Sequence, residues 1–462
     1  MPNPPIWKRA YWSAYLAWHL AQQPPLPYLP PDRLQARQDA NVRRMVAYAY
    51  RWVPHYRETM SRLGLTPDDI RCADDLRRLP IIEIADLQNA PQRYRSTQFA
   101  DDDLLRVGSG GSSGTPHHIW HDTAALLQSA AHSRRDAAAS RQPLGRRSSY
   151  RQLELSSPHG TGVAVRRFTR AKALYPPREP VQRLVLSLGD PPEVNLPKIN
   201  AFCPDVLSGY GSYFGRLFDY ARESGQALHR PAVIVYGSEA MPISARRMLV
   251  EEFGIPVFSV YQTIEAFKLG FECEAHRGYH INHDCYALRI VASDGRHLDA
   301  DGPDLLPGET GEALVSNLVN RGMVLLNVRI DDMLRWLPDG CPCGRTLPRV
   351  DFVQGRTQEW VHLPNGVLLH PQAVTAILYA VGGMRRFQVV QHAPERFEVR
   401  LVVADACDRE ALAARVVAGL TERMGEEITF EVAFVEDLET TPTGKTLGLI
   451  GLGGDGTGHR LG

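Results

Sequence analysis

Short apolar runs alternating with helical patterns predict an α/β fold for this chain: a large N-terminal domain of layered sheets with helices, then a small C-terminal α+β domain. Three observations lead there. The 462 residues are too many for a single compact core. Hydrophobic residues make up 44% and charged residues 23%, the mix of a folded globular protein. Beyond residue 354 the pattern changes to hairpin, helix and strand signals at short intervals, so the expected division is 1–354, 355–450 and a disordered tail, 451–462, of mostly Gly, Asp, Thr and His.

In chain order, residues 6–23 place Trp7, Tyr11, Tyr15 and Trp18 three and four apart, the period of one helical face. Lys8, Arg9 and His19 interrupt the run and no small-residue cleavage site follows, so it reads as neither a signal peptide nor a membrane span. The face is expected to dock on the protein's own body. No later run is apolar for long enough to cross a bilayer, and a cytoplasmic protein without a membrane partner is expected. Residues 34–65 read as helical with Val42, Met45, Val46, Tyr48 and Ala49 on a repeating face, and 124–139 as an Ala-rich helix. Strand-like 183–188, 232–236 and 256–261 alternate with a mixed stretch, 201–221, and a helical one, 244–253, which suggests a parallel sheet covered by helices. Residues 286–292 and 312–318 look like antiparallel strands. In the last part, Pro364-Asn365-Gly366 marks a hairpin within 355–369; helices at 371–381 and 409–424 then alternate with strands at 387–391, 397–403 and 428–434.

The 52 basic and 52 acidic side chains cancel, so no global field recruits nucleic acid or anionic lipid, and no nucleic-acid partner is expected. The seven cysteines are not a disulfide framework: Cys72, Cys203, Cys285 and Cys407 stand alone, Cys341 and Cys343 flank a proline, and Cys273 is followed by histidines.

Four stretches carry residue types suited to chemistry. Ser109-Gly110-Gly111-Ser112-Ser113-Gly114-Thr115-Pro116 can wrap phosphate oxygens with backbone N–H groups and hydroxyls, although alone it reads equally as a flexible linker; it lacks the Gly-Lys-Ser/Thr of a Walker loop. Tyr261-Gln262-Thr263-Ile264-Glu265 sets an aromatic and a carboxylate at a strand's carboxyl end, where open α/β sheets bind ligands. Gly308-Glu309-Thr310-Gly311-Glu312 is followed by Asp331-Asp332, where an acid after a strand can accept two ribose hydroxyls. Thr441-Pro442-Thr443-Gly444-Lys445 presents a single lysine on a stiffened loop.

In this order and at these intervals the four resemble the adenylate-forming superfamily, which includes acyl-CoA synthetases, adenylation domains and luciferases, and within it the phenylacetate-CoA ligase branch. The resemblance spans residues 104–447. It implies a large domain that holds ATP and an acid, and a small domain that rotates between two half-reactions. It assigns Ser109, Ser112, Ser113, Gly114 and Thr115 to the phosphate loop, and Ser238 and Glu239, in Tyr236-Gly237-Ser238-Glu239-Ala240, to the segment along the adenine. Tyr261 becomes the aromatic near that ring, Glu265 the carboxylate that helps hold magnesium, and Asp332 the ribose acid. Arg356 follows the interdomain hinge, and Lys445 contacts the reacting carboxylate and the α-phosphate. Departures are Thr115 for a frequent lysine, Gln262 for Gly, Ile264 for Thr, and Gln358 for the hinge acid.

The activity so implied is ATP- and Mg²⁺-dependent conversion of a small, aromatic carboxylic acid to acyl-AMP, then transfer to a thiol, with coenzyme A as acceptor. Alternative acceptors are an amine, a carrier protein, or a deazaflavin that receives AMP itself; an inactive nucleotide-binding scaffold is the contrasting class. A second copy of the chain is a further candidate partner. Separately, Cys273, Cys341 and Cys343 with one imidazole form the donor set of a closed structural zinc site. His280 is the preferred fourth ligand because it opens a strand-like run and resembles the Gly-x-His of zinc-bearing relatives; His276, at Cys-x-x-His spacing, is the rival. His117 and His118 could touch substrate or simply cap a strand. Glu154, Ser156 and His159 have no assignable role, and Arg134-Arg135 and Arg146-Arg147 read as solvated faces.

Overall fold

A computed structural model describes residues 4–109, 117–145, 149–157, 160–174, 181–292, 308–352, 361–365, 368–369, 374, 377–378, 381, 383–403, 407–438 and 448–452. The chain divides into two compact units, with the main break in sequence after Phe352.

The first unit opens with helices α1 (Ile6–Gln22), α2 (Pro31–Trp52), α3 (Pro54–Arg62) and α4 (Ile84–Asn89). The helical stretch expected over 34–65 consists of two helices, α2 and α3. Pro54 has no N–H to donate and forces Val53 out of the helical region, to φ −118° and ψ 116°, so the chain bends there and restarts with proline in the first turn. Strands β1 (Leu104–Gly108) and β2 (His118–Asp122) pair antiparallel, Leu104 opposite Asp122 and Gly108 opposite His118. Helix α5 (Thr123–Ser140) follows, its first turn capped by the Asp122 carboxylate, which accepts from the Ala125 N–H at 3.0 Å.

The centre is an eight-stranded sheet. Its strands are β3 (Tyr150–Ser156), β4 (Val181–Ser187), β5 (Val206–Gly209), β6 (Val233–Gly237), β7 (Val257–Thr263), β8 (Phe267–Glu272), β9 (Tyr279–Ile281) and β13 (Arg349–Val350). Helices α6 (Thr161–Lys172), α7 (Pro192–Phe202), α8 (Gly211–Ser224) and α9 (Ile243–Arg247) intervene, and α9 runs into a π-helical turn, Met248–Glu252. The strand order is β13-β9-β8-β7-β6-β5-β3-β4. From β4 to β7 the pairs are parallel, and β8, β9 and β13 extend the sheet antiparallel. Leu153, Leu207, Ile234 and Val257 of the parallel strands are buried against Leu196 and Ile199 of α7 and Phe214, Leu217 and Phe218 of α8. That two-layer burial explains why these strands read as short continuous apolar runs. Strands β10 (Tyr286–Val291), β11 (Thr310–Asn317) and β12 (Val328–Arg335) make a separate sheet, in which β10 and β11 pair antiparallel, Tyr286 opposite Asn317.

In the second unit β14 (Val361–His362) and β15 (Leu368–Leu369) pair antiparallel across the expected turn. Strands β16 (Arg386–Ala393), β17 (Arg396–Val402), β18 (Thr429–Phe434) and β19 (Leu449–Ile450) form a sheet in the order β18-β17-β16-β19. Helix α10 (Arg409–Met424) buries Leu412, Val416 and Leu420 in the same core as Val389, Val399 and Leu401. Most of the helix expected at 371–381, and the tail from residue 453, lie outside the described residues.

The reading of Arg134-Arg135 as a solvated face is overturned for its second residue. Arg134 is exposed, but Arg135 does not join it on a solvated face: its side chain is fully buried. Its two terminal nitrogens donate to the two carboxylate oxygens of Asp284 at 2.7 and 2.9 Å. It also donates to the Asn282 side chain at 2.8 Å and to Gln23 Oε1 at 2.7 Å. The guanidinium fork thus ties the end of α1 and the turn before β10 to α5. Burial alone would raise the Asp284 pKa, but the charge and hydrogen bonds of Arg135 hold it well below the usual carboxylate range. The contribution of this carboxylate is therefore fully present above the ordinary Asp pKa and lost only on acidification through the depressed value. Arg135→Ala, which strands a buried carboxylate, is expected to cost about 3–5 kcal/mol in urea unfolding, and Arg134→Ala no more than about 0.5 kcal/mol. Equal effects would contradict the assignment.

Candidate active site and cysteine–histidine cluster

In the parallel part of the sheet the chain places β4 on one side of β3 and then returns to place β5 on the other. Strand order reverses there, so the carboxyl ends of β3 and β5 open a crevice of the kind in which open α/β sheets take ligands. Gly209 stands at this mouth, where a Cβ would lie 2.7 Å from the Leu155 carbonyl oxygen. At the end of β6, a Cβ on Gly237 would lie 2.9 Å from the Val260 carbonyl oxygen. Ser238 then adopts φ 67°, the left-handed region, and Ser238 and Ala240 are exposed. Glu239 turns inward: its Oε1 accepts from the Ser212 N–H at 2.7 Å, capping the first turn of α8.

The next strand end carries Tyr261 and Glu265. Tyr261 is buried with its ring stacked on Tyr279, centroids 5.5 Å apart, and Gln262 is the exposed residue at this end, where the pairing of β7 with β8 shifts register. Glu265 is buried just beyond the strand. His117 Nε2 donates to Glu265 Oε1 at 2.6 Å, and Asn317 Nδ2 donates to the Glu265 carbonyl at 2.7 Å. His121 Nε2 donates to the Ile264 carbonyl at 2.9 Å. Burial would push the Glu265 pKa up; the hydrogen bond and charge of His117, with backbone and Thr263 contacts, outweigh it and hold the carboxyl below its ordinary value. The carboxylate is thus ionised at neutral pH, in a buried place.

His117 belongs to the hairpin that flanks the Ser/Gly run. The Ser109 N–H donates to the His117 carbonyl at 2.9 Å, and the His117 N–H donates to Ser109 Oγ at 3.1 Å. The two bonds close the stem of the loop, and the same histidine fastens that stem to Glu265. Strand alternation sends its neighbour elsewhere: His118 Nε2 meets an Arg106 guanidinium nitrogen at 3.0 Å. Of the histidine pair, then, only His117 reaches the site, and the period-two alternation of β2 is the signal that separates them. His121, four residues on, carries the same signal and had no reading from sequence. Asp332 is buried on β12. Ser112, Ser113, Gly114, Thr115, Arg356 and Lys445 lie outside the described residues. Glu154 pairs with Arg166 at 2.7 Å.

On the antiparallel side of the sheet, Cys273, His280, Cys341 and Cys343 bring four ligand atoms within 4.8 Å of one another. Cys273 Sγ is 3.7 Å from Cys341 Sγ, and Cys343 Sγ is 3.3 Å from His280 Nε2. His280 Nδ1 lies 3.1 Å from the Leu347 carbonyl, which can only accept, so Nδ1 carries the proton and the Nε2 lone pair faces the thiols. His276 is turned away: at φ 51° its Nδ1 is 2.7 Å from a Glu272 carboxylate oxygen. Of the two histidines, His280 is the one in the cluster. Gly278, at φ 81°, lets the turn before β9 meet β13; a Cβ there would come within 2.2 Å of the Val350 carbonyl oxygen. Burial pushes the Cys273 thiol up to about 12, an environment that disfavours a bare thiolate.

Residues 362–450 match the family model described as the CapK C-terminal domain. The chain is 27% identical over 415 residues to a phenylacetate-coenzyme A ligase of Thermus thermophilus, covering 88% of this chain and 86% of the relative. It is 27% identical over 356 residues to the phenylacetate-coenzyme A ligase of Escherichia coli, covering 74% and 75%. Among solved structures, 2-hydroxyisobutyryl-CoA ligase in the postadenylation state, in complex with R3-HIB-AMP, superposes with a TM-score of 0.74 at 17% identity over 93% of this chain and 91% of that one. Over most of the chain, then, the sequence is similar to phenylacetate-coenzyme A ligases and the fold to that of 2-hydroxyisobutyryl-CoA ligase.

Proposed function

We propose that the protein is an AMP-forming acid–thiol ligase, acting on a small aromatic carboxylic acid with coenzyme A as the acceptor. A carboxylate oxygen attacks the α-phosphorus of ATP, the bond to the bridging oxygen breaks, and pyrophosphate leaves. The thiolate then attacks the acyl carbon, and AMP departs with the electrons of the acyl–oxygen bond. The observation that carries this reading is the link between the stem of the Ser/Gly loop and the ionised, buried Glu265 through His117. Similarity to phenylacetate-coenzyme A ligases supports the acid class.

Roles follow from chemistry. Ser109, Ser112, Ser113, Gly114 and Thr115 donate to phosphate oxygens, and Ser238 with Glu239 borders the nucleotide base, the exposed Ser238 backbone on the ligand side. Tyr261 backs the base through its stack with Tyr279, and Asp332 accepts the ribose hydroxyls. Glu265 suits Mg²⁺, because a hard dication prefers an ionised oxygen donor; when bound, the ion offsets the negative charge of the phosphates. Lys445 reduces repulsion between the two reacting anions, and Arg356 follows the hinge. We assign acid and nucleotide binding to residues 1–354 and the lysine-bearing region, which turns between half-reactions, to residues 355–450. The site is placed in the cytoplasm, where ATP and coenzyme A are supplied.

Pyrophosphate release, screened over aromatic and aliphatic acids, is expected with an arylacetic or benzoic acid and ATP alone, with a thioester appearing only when coenzyme A is added. Lys445→Ala is expected to slow release roughly 10²–10³-fold. Turnover undetectable over the whole panel, or a Lys445→Ala rate equal to wild type, would contradict the proposal and favour a nucleotide-binding scaffold.

We also propose that the cysteine–histidine cluster holds a structural Zn²⁺. Three thiols and an imidazole form a closed set, and coordination offsets the cost of ionising buried Cys273. Elemental analysis of purified protein is expected to find one equivalent of zinc, lost in Cys343→Ser and His280→Ala and kept in His276→Ala. Zinc retained in His280→Ala would contradict the assignment.

A further inference from the structure

Helix α1 does not present its aromatic stripe to the protein. Trp12, Tyr15 and His19 form the inner side, with Trp12 and Tyr15 centroids 5.5 Å apart and Tyr15 and His19 4.4 Å apart. Two bonds fix the helix to the end of α6: an Arg9 guanidinium nitrogen donates to the Ala173 carbonyl at 3.2 Å, and the Leu174 N–H donates to Ser13 Oγ at 2.8 Å. Arg134 of α5 donates to the Leu20 carbonyl at 3.5 Å. The rotation so fixed turns Trp7, Tyr11, Ala14 and Trp18 outward, at the i, i+4, i+7, i+11 spacing of one helical face. Trp7 is 64% exposed, Tyr11 59%, Trp18 60% and the adjoining Ile6 75%. This corrects the expectation that the stripe docks on the protein's own body for Trp7, Tyr11 and Trp18, while Tyr15 does face inward.

The surroundings are cationic. Lys8 is exposed beside Trp7, Arg134 is exposed on α5, and Arg167 is exposed on α6. The sequence has no acidic side chain before Asp32 and none in 161–172; of the two at α5, Asp122 is buried at its start and Asp136 is paired with Lys268. A net charge of zero over the chain therefore conceals a local excess of one sign. Exposed Trp and Tyr rings on one face of a helix, flanked by exposed Lys and Arg, is the composition of a helix lying in a membrane interface. No helix among the described residues is long and apolar enough to cross a membrane, and at 17 residues α1 is about 25 Å long, suited to lying flat. Self-association through this face would oppose like charges, which disfavours a second copy as the occupant.

We propose that the outward face of α1, with Lys8 on it and the exposed Arg134 and Arg167 on the two helices packed against it, is a docking surface for an anionic lipid bilayer, on which the protein lies peripherally. The proposal is independent of the reaction assigned to the first unit. The test is co-sedimentation of the full chain with phosphatidylcholine vesicles that do or do not contain phosphatidylglycerol, at low and high salt, beside sedimentation velocity without lipid. Wild-type protein is expected to pellet with the anionic vesicles at low salt and to be released by salt. Trp7→Gln/Tyr11→Gln/Trp18→Gln is expected to weaken partitioning roughly tenfold or more with an unchanged melting temperature, since all three rings are exposed. Lys8→Glu/Arg167→Glu is expected to remove the preference for anionic lipid. Wild-type protein that stays in the supernatant with both vesicles, or a triple variant that binds equally well, overturns the proposal. So does a wild-type dimer that the triple variant dissolves, which would assign the face to self-association.

Discussion

The hydrogen bond between His117 Nε2 and Glu265, 2.6 Å long and buried, is the contact on which the candidate site depends. It joins two parts of the chain that local folding would leave independent, the stem of a Ser/Gly loop and the carboxyl end of β7. A buried carboxylate without a partner would take up a proton; held by His117, Glu265 stays charged where water does not screen it. One bond therefore fixes the stem at His117 to Glu265 and sets the charge beside it. The Asn317 contact to the Glu265 carbonyl and the His121 contact to the Ile264 carbonyl fix the backbone on which that carboxylate stands.

The rest of the first unit supports this arrangement by close backbone approach and buried charge. Gly209 and Gly237 let neighbouring strand ends come nearer than a side chain would allow, which leaves room at the switch point of the sheet. Glu239 stabilises the start of α8 while the exposed Ser238 beside it takes a left-handed conformation. On the far side, Arg135 ties α5 to the turn before β10 through a paired guanidinium and carboxylate, and the cysteine–histidine cluster gathers four ligand atoms at the antiparallel extension. Neither lies on the parallel strands β3 to β7.

What the sequence revealed, and what it hid, follows from the range of the forces involved. Strands such as β6 and β7 were legible because burial on both faces writes a continuous apolar run. The cysteine–histidine set was legible by donor type alone, and the choice of His280 over His276 followed from its place at the start of a strand. Val53-Pro54 carried a local signal for a helix break that the apolar periodicity of 34–65 masked. Arg135 was hidden because a buried arginine and a solvated one look alike in sequence; its partner Asp284 lies 149 positions away. The rotation of α1 was hidden for a related reason: Trp12, Tyr15 and His19 form an inner stripe as aromatic as the outer one, and only contacts to α5 and α6 decide between them. His117 and His118 were told apart only once β2 fixed which side each faces.

The central claim is that Glu265, set by His117, is the carboxylate around which nucleotide chemistry is organised. Crystals grown with Mn²⁺ and a non-hydrolysable ATP analogue test it most directly, by anomalous diffraction at the manganese edge. The account predicts a peak beside the Glu265 carboxylate with the triphosphate against the Ser109–His117 stem. Nucleotide and manganese bound together at a place remote from both Glu265 and that stem would contradict it.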